Sequence, residues 1–558
     1  MEVSMIGSSQ AHLGRSDLGS REVGVCSFGR NFNAKISSLK NPKLCFGQTF
    51  SWPSRTSACL SLKASAASQT EAVVSDKVCG AKRSKPLTLI SCKMLMQIDS
   101  VKLYVGLPMD TVSVSNTINH ARAIAAGLKA LKLLGVDGVE LPIWWGIAEK
   151  EAMGKYDWTG YLAVAEMIQK LGLKLHVSLC FHASMEHKIS LPEWVCQIGE
   201  SDPSIFFTDR SGHQYKDCLS LVVDDLPVLD GKTPLQVYKG FCESFKSAFS
   251  KFMDLTITGI SIGLGPDGEL RYPSHHQPAK SNHKHVGAGE FQCYDKNMLS
   301  HLKQHAEMFG NPLWGLGGPH DAPACNEPPI SNNFFKEHGG SWETTYGDFF
   351  LSWYSNQLIT HGDQLLSVGA STFSDVPQIT VSGKVPLIHC WYKTRSHPAE
   401  LVSGIYNTEN RDGYEAIVEM FSKNKCKIIL PGMDLSDEQQ PKESLSSPES
   451  LLAQVTLCCR KHGVEILGQN STASNAAASG FERIRKNLAA ESAAAISLFT
   501  YQRMGAYFFS PNHFPSFTKF MRNLRELELE LDSDDQPGKE ETTAGSSLSA
   551  RNLQEQAA

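Results

Sequence analysis

The sequence has no long apolar run and no strong excess of either charge. None of its 558 residues lies in a stretch of eighteen or more consecutive apolar residues, about the length that a helix needs to span a bilayer. The formal net charge is −5, which provides no basic field for nucleic acid or an anionic membrane. We therefore expect a soluble globular protein that has neither a nucleic acid nor a membrane as partner.

The sequence also lacks the cysteine and histidine spacings typical of a structural metal site. Its 15 cysteines are scattered, no CxxC pair is present, and Cys458 and Cys459 are adjacent. The chain does not open on a secretory apolar segment, so we expect free thiols in a reducing compartment. We predict no zinc site and no other cofactor.

Both ends of the chain differ in composition from its centre. The first seventy residues contain fourteen Ser and eight Lys or Arg but only three acidic residues, which is typical of an organelle transit peptide. We predict a transit peptide over 1–70 and a linker over 71–100; a plain disordered tail is the alternative. Residues 532–558 are acidic and Ser-rich, which predicts a disordered tail. The folded domain is expected over 101–531.

Between these ends, short apolar runs rich in β-branched residues alternate with amphipathic helical stretches. This alternation predicts a parallel α/β fold. Helices are expected at 117–134, 161–171 and 448–462, and long insertions follow the third and fourth strands. The eight predicted strands are 102–107, 138–144, 174–181, 256–264, 385–391, 427–430, 464–467 and 495–500.

Eight strands with helical crossovers predict a (β/α)₈ TIM barrel with long βα loops and disordered N- and C-terminal tails. A doubly wound sheet is the alternative. It is disfavoured because no predicted strand leads into a helix through a glycine fingerprint.

Polar and aromatic side chains follow several of the predicted strands. The fourth strand leads into Gly263-Leu-Gly-Pro-Asp-Gly-Glu269, a glycine-rich exit that presents a carboxylate at the barrel mouth, where such folds build their sites. A solvated loop glutamate is the alternative for so short a motif. His182 follows the third strand, Lys384 and His389 belong to the fifth, and Arg503 ends the eighth.

Aromatic rings mixed with hydrogen-bonding groups suit a sugar, whose apolar faces stack and whose hydroxyls need directional partners. Glycoside hydrolysis requires two carboxyl groups, an acid for the leaving oxygen and a base or nucleophile on the other face. Glu269 supplies one of them. The identity of the second decides whether the chain can hydrolyse a glycoside.

The stretch from about Val101 to Arg522 resembles the plant β-amylases. The matching segments occur in the family's order and include Val136-Asp-Gly-Val139 before Trp144-Trp145-Gly146, Ile198-Gly-Glu-Ser-Asp-Pro203, Gly263 to Ser274, Glu290-Phe-Gln-Cys-Tyr-Asp295, Phe350-Leu-Ser-Trp-Tyr354 and Arg411-Asp-Gly-Tyr414. The resemblance implies a (β/α)₈ fold and descent from an inverting α-1,4-glucan maltohydrolase that releases maltose from starch. The chain is most similar to the plastidial members regarded as catalytically inactive.

The resemblance also implies roles for individual residues. Glu269 matches the family's general acid, and the sugar-contacting positions match His182, Lys384, His389, Asn470 and Arg503. The family's general base is the Glu of a Gly-Glu-Asn triplet, and this chain has Gly468-Gln469-Asn470 there. An amide can bond to a water, but at neutral pH it cannot take the proton that an attacking water must lose.

Three further departures from the family pattern fall in the same region. Pro142 stands where the family has a sugar-binding Asp, and Pro431 stands where a Thr would bond to the sugar. The glycine-rich lid after His182 is shortened to a segment that reaches Pro192-Glu-Trp194. Such lids exclude water and position substrates. These losses add to the loss of the base. General-base catalysis alone typically contributes roughly 10²–10⁴-fold to the rate.

We therefore predict an inactive or severely impaired β-amylase in the chloroplast stroma. Its expected partners are an α-1,4-glucan or maltooligosaccharide, and an active β-amylase or another protein of starch metabolism. The alternative is a slow β-amylase in which Asp434 or Asp437 serves as base. A DNA-binding regulator is disfavoured because the first hundred residues hold no basic helix or heptads.

Overall fold

The computed structural model describes residues 101–253, 255–275, 287–471, 478–489 and 496–532. The predicted transit peptide, the linker and residues 533–558 of the predicted tail lie outside the described residues. No described helix is both long enough and apolar enough to pass through a bilayer.

Eight parallel strands close into a barrel, which confirms the predicted fold. The strands are β1 Lys102–Gly106, β2 Gly138–Trp144, β3 Lys174–Cys180, β4 Phe206–Thr208, β5 Gln214–Leu219, β6 Ile257–Ile262, β7 Thr380–Lys384, β8 Lys427–Leu430, β9 Ile466–Gln469 and β10 Ile496–Tyr501. Around the barrel they follow the order β1-β2-β3-β6-β7-β8-β9-β10. The strands β4 and β5 form a separate antiparallel pair that was not predicted from the sequence.

Helices connect the strands of the barrel. They are α1 Ala121–Leu133, α2 Trp145–Ala148, α3 Thr159–Lys170, α4 Glu193–Ser201, α5 Pro234–Ala248, α6 Lys296–Phe309, α7 Thr345–Thr372, α8 Pro398–Val402, α9 Tyr414–Lys423, α10 Pro448–His462, α11 Ala478–Leu488 and α12 Phe514–Asp532. Local chemistry fixes their ends. Thr233 and Gln236 form a capping box at the start of α5, and Gly463 ends α10 in the left-handed conformation.

Two apolar layers hold the barrel together. The main core lies between the strands and the helices and includes Leu128 of α1 and Val139 of β2, both with no exposed surface. A second cluster consists of Tyr104, Ile429, Leu467 and Leu498, from four neighbouring strands. The Tyr104 hydroxyl lies 2.9 Å from Thr258 Oγ1 of β6. Because β1 and β6 are not neighbours, this bond crosses the barrel interior, which is packed with side chains as in other barrels of this kind.

The predicted fifth strand was wrong. The strand is Thr380–Lys384, and residues 385–391 form the loop that follows it. The apolar run at 385–388 suggested a strand, but it contains Pro386, which has no N–H for a ladder. The true strand carries Ser382, which is fully buried and lies in register with Ser261 of β6. Ser261 in turn pairs with Ser178 of β3, so a polar layer crosses this wall of the barrel.

Candidate functional site

Four of the predicted site residues line one small cavity at the carboxyl ends of the strands. His182, Lys384, Gln469 and Arg503 lie in its wall, together with Pro142 of β2. The cavity has a volume of about 60 Å³, whereas pockets that hold small molecules typically enclose about 300–1,000 Å³. It has room for a few water molecules.

Glu269 is not among the described residues that line the cavity, but the glycine-rich exit of β6 holds it next to Lys384, which does line it. Gly265 has φ 155°, and a Cβ added there would lie 2.7 Å from the Glu269 carbonyl oxygen, so the turn requires glycine. Leu270 N–H then donates to the Lys384 carbonyl oxygen at 2.9 Å, which attaches the exit to the end of β7.

Two cations neutralise the Glu269 carboxylate. Lys384 Nζ lies 2.9 Å from Oε1, and Arg271 Nε donates to Oε2 at 2.8 Å. Burial by itself would raise the pKa of Glu269, but the charges and hydrogen bonds of Lys384 and Arg271 outweigh it and lower the pKa to about 2. Glu269 is therefore ionised at neutral pH.

Gln469 is the last residue of β9 and is 7% exposed. Its backbone carbonyl accepts a hydrogen bond from Met433 N–H at 3.0 Å, and its side chain belongs to the cavity wall. As an amide it brings no charge and no proton-accepting group of useful basicity to this wall.

Glu140 of β2 is a cavity-lining carboxylate that the sequence analysis did not single out. It is 4% exposed. Its Oε1 accepts from Ser178 Oγ at 2.7 Å and its Oε2 from Gln502 Nε2 at 2.6 Å, and Arg503 Nη1 lies 3.3 Å from Oε2. Burial raises the pKa of Glu140, but Arg503 and these hydrogen bonds reverse the effect and lower it. A charged residue inside an apolar strand was the signal that could have identified it.

The ion pair with Glu140 also restrains Arg503. Arg503 Nη1 donates to the Leu107 carbonyl oxygen at 2.9 Å besides facing Glu140. A Cβ added at Gly106 would lie 3.0 Å from both Arg503 Nη1 and Glu140 Oε2, so the pair packs closely against the backbone at this position. Arg503 is therefore already engaged by groups of the protein itself.

Asn470 lies beside the cavity, but its amide serves the backbone. Asn470 Nδ2 donates to the Gln502 carbonyl oxygen at 2.9 Å, and Gln502 N–H donates to Asn470 Oδ1 at 2.7 Å. These two bonds join the end of β9 to the loop after β10. Both polar atoms of the Asn470 side chain are therefore already bonded to the backbone and not to a sugar.

His182 and His389 take different positions at the mouth. The ring of His182 meets Trp144 edge-on, with 5.2 Å between the ring centroids, and burial lowers the pKa of His182 to about 4, so the ring is neutral at pH 7. His389 lies in the loop after β7 and is not among the described residues that line the cavity. The buried Nδ1 atoms of both rings and Nε1 of Trp391 have no partner among the described residues.

The segment after His182 is a tight turn. Ser184 and Ile189 bond to each other through both backbone pairs, at 2.7 and 3.0 Å, and Ser184 Oγ lies 2.9 Å from His187 Nδ1. The chain reaches Pro192 and helix α4 directly after this turn. The segment after His182 thus folds back on itself and leads into α4.

Metal-ligating groups are found elsewhere. Among the described residues, the group of Cys, His and carboxylate side chains close enough to share an ion consists of Glu415, Cys458 and His462, which lies outside this cavity.

Comparisons with known proteins agree with this architecture. The chain is 56% identical to "Inactive beta-amylase 9" of Arabidopsis thaliana, over 99% of this chain and 100% of that protein. It is 39% identical to "Beta-amylase 2, chloroplastic" of Oryza sativa subsp. japonica, over 76% and 77% of the two chains. The crystal structure of the catalytic domain of a β-amylase from Paenibacillus polymyxa matches with a TM-score of 0.62 at 23% identity, over 76% of this chain and 98% of that one, which supports the fold. Residues 104–528 match the model of glycosyl hydrolase family 14, and the chain therefore belongs to that family.

Proposed function

We propose that this chain is an inactive or severely impaired member of its family that acts as a glucan-binding or regulatory protein of starch metabolism. The observation that carries the proposal is Gln469 in the cavity wall, at the position that matches the family's general base. An inverting hydrolase needs a carboxylate there to take a proton from the attacking water. The amide cannot do this.

Asp434 and Asp437 are poor substitutes for the missing general base. Asp434 accepts from Ser471 N–H at 2.6 Å and from Ser471 Oγ at 2.9 Å. Asp437 accepts from Ser447 Oγ at 2.6 Å and pairs with Lys393 at 3.3 Å. Neither lines the cavity within the described part of the chain. Both carboxylates are engaged by groups of the loops that follow β8 and β9.

The residue at the acid position is ionised in the unliganded protein. A general acid must carry a proton, and efficient acids have a pKa near the working pH. The pKa of Glu269 is lowered to about 2, so its carboxylate has no proton to give to a leaving oxygen at neutral pH. In the unliganded chain the acid position is therefore a carboxylate held by Lys384 and Arg271.

Binding at the outer mouth is compatible with these losses. Among the described residues, the buried nitrogens His389 Nδ1 and Trp391 Nε1 have no hydrogen-bond partner, and an unsatisfied buried polar group costs about 1–3 kcal/mol. Sugar hydroxyls offer such partners, and an aromatic ring offers an apolar face. A glucan chain would lie across this mouth, above the cavity that Gln469 lines.

The names of several relatives include the word chloroplastic, and the first seventy residues have a transit-peptide composition. On these grounds we assign the protein to the plastid, in the stroma. Besides an α-1,4-glucan or maltooligosaccharide, the partner could be an active β-amylase or another protein of starch metabolism.

The proposal is tested by assaying maltose release and binding on the same preparation. We expect no maltose from soluble starch or maltohexaose at high protein concentration, and measurable binding of a long maltooligosaccharide by calorimetry. His389→Ala should weaken that binding, whereas the control His320→Ala, at an exposed histidine outside the cavity, should not.

Turnover comparable to that of an active β-amylase would refute the proposal. If that turnover were lost in Asp434→Asn or Asp437→Asn, the protein would be a working enzyme with a relocated base. Absence of both turnover and glucan binding would refute the glucan-binding part and leave a protein partner as the ligand to seek.

A further inference from the structure

Three side chains with metal-binding chemistry meet on the outside of the barrel, between α9 and α10. Glu415 lies in the first turn of α9, and Cys458 and His462 lie one helical turn apart near the end of α10. Residues four apart on a helix present their side chains to the same side. The ligand atoms of the three residues all lie within 4.8 Å of one another.

The distances are close to those of a tetrahedral ion site. His462 Nε2 lies 2.8 Å from Glu415 Oε1, and Cys458 Sγ lies 4.0 Å from Glu415 Oε2. Zn²⁺ bonds of about 2.0–2.3 Å to O, N and S place neighbouring tetrahedral ligands roughly 3.3–3.7 Å apart. Side-chain movements of about 1 Å would bring the three atoms to that geometry.

The electrostatic surroundings also favour a cation. The C-terminus of α10 carries the negative end of the helix dipole, which attracts positive charge, and His462 is the last residue of this helix. Asp412 adds a negative charge close enough to act on Cys458. A thiolate and the Glu415 carboxylate together would balance the two charges of the ion.

One cation already occupies part of this space. Lys461 Nζ lies 2.6 Å from Glu415 Oε1, but 64% of the Lys461 side chain is exposed. Exposed ion pairs contribute little, typically about 0–1 kcal/mol, so a divalent ion could displace the lysine. The Cys458 thiol releases its proton to solvent when the sulfur–metal bond forms.

We propose that Glu415, Cys458 and His462 form a zinc site that joins α9 to α10, with a water molecule as the fourth ligand. Mixed sulfur, nitrogen and oxygen ligands suit Zn²⁺ and not Mg²⁺ or Ca²⁺, which prefer oxygen. This site lies in two helices of the outer layer, so it does not depend on the proposed glucan function. The spacing Cys458-x-x-x-His462 lacks the two-residue gap of common zinc motifs, which is why the sequence alone did not suggest a metal.

The test is a titration of the reduced full-length protein with Co²⁺, a spectroscopic substitute for Zn²⁺. We expect one thiolate-to-cobalt charge-transfer band that Zn²⁺ abolishes. The band should be absent in Cys458→Ala and retained in Cys459→Ala, a matched control because Cys459 is the adjacent buried thiol of the same helix. His462→Gln should weaken Co²⁺ binding at least tenfold, and Lys461→Met should strengthen it several-fold by removing the competitor.

A band of equal intensity in the wild type and in Cys458→Ala would overturn the proposal, since the metal would then be bound by other thiols. The same conclusion would follow if no band appeared in the wild type. Circular dichroism of each variant checks that a lost band does not reflect a lost fold, and His462→Gln, a change at a partly exposed side chain, keeps the test valid if Cys458→Ala is unstable.

Discussion

Gln469→Glu restores the residue type that the family resemblance assigns to the general base, and we expect it not to restore hydrolysis. The new carboxylate would be mostly buried, since Gln469 is 7% exposed, and burial raises a carboxyl pKa towards values that suit a base. A general base by itself typically raises the reaction rate roughly 10²–10⁴-fold.

The protonation state of Glu269, at the general-acid position, limits the gain in rate from this substitution. With its pKa lowered to about 2 by Lys384 and Arg271, Glu269 is almost entirely ionised at pH 7 in the unliganded protein. The cavity of about 60 Å³ and Pro142 in its wall are unchanged by the substitution. We therefore expect maltose release below about one-thousandth of that of an active plant β-amylase.

The assay is maltose release from maltohexaose at saturating substrate, with an active β-amylase measured alongside. Combining Gln469→Glu with Glu269→Gln distinguishes true residual turnover from a contaminant, because any activity of the barrel needs both carboxyl groups. Recovery to within about tenfold of the active enzyme would refute the reasoning. It would mean that substrate binding opens the cavity and releases Glu269 from its two cations.

Three further predictions concern stability, measured by urea unfolding. Glu140→Gln should cost about 3–5 kcal/mol, because it leaves the largely buried charge of Arg503 without its counter-ion; a change below about 1 kcal/mol would show that water already screens the pair. Asn470→Ala should cost about 2–4 kcal/mol, because two buried backbone groups of Gln502 lose their partner, and Asn470→Asp should recover part of this loss. The Glu269 carboxyl has a pKa of about 2 in the folded protein, against an ordinary value of 4.5. It therefore contributes up to about 3 kcal/mol to the free energy of unfolding, and this contribution is present above pH 4.5 and lost as the pH falls towards 2. Glu269→Gln should therefore be less stable than the wild type at pH 7, with a difference that shrinks on acidification; a difference independent of pH would contradict this assignment.

Much of the barrel could be predicted because local residue patterns indicate its strands and helices. Residues 138–144 and 427–430 were predicted with the bounds that the structure has, and 448–462 was predicted as the helix that is observed. Fully buried parallel strands read as continuous apolar runs. The same rule failed at β7, where Ser382 is buried beside Ser261, because a polar layer within a barrel removes the apolar signal.

The candidate site was predicted in part for the same reason. Strand ends in a barrel converge on one face, so the sequence could propose that His182, Lys384, Gln469 and Arg503 lie together, and they line one cavity. It could not show that Asn470 bonds to the Gln502 backbone instead of facing the cavity. Hydrogen-bond partners are set by orientation within a few ångströms, which a residue pattern does not encode.

The sequence by itself determined which chemical groups are available. Gln469 has no carboxylate and Pro142 has no side-chain hydrogen bond in any conformation. Only the tertiary structure decided how the remaining groups behave. Glu140 and Gln502 are 362 positions apart along the chain yet hydrogen-bonded, Glu269 is ionised because two cations reach it, and Glu415 meets Cys458 and His462 across two helices. Charge interactions depend on distance and on burial, and both are fixed only when the chain has folded.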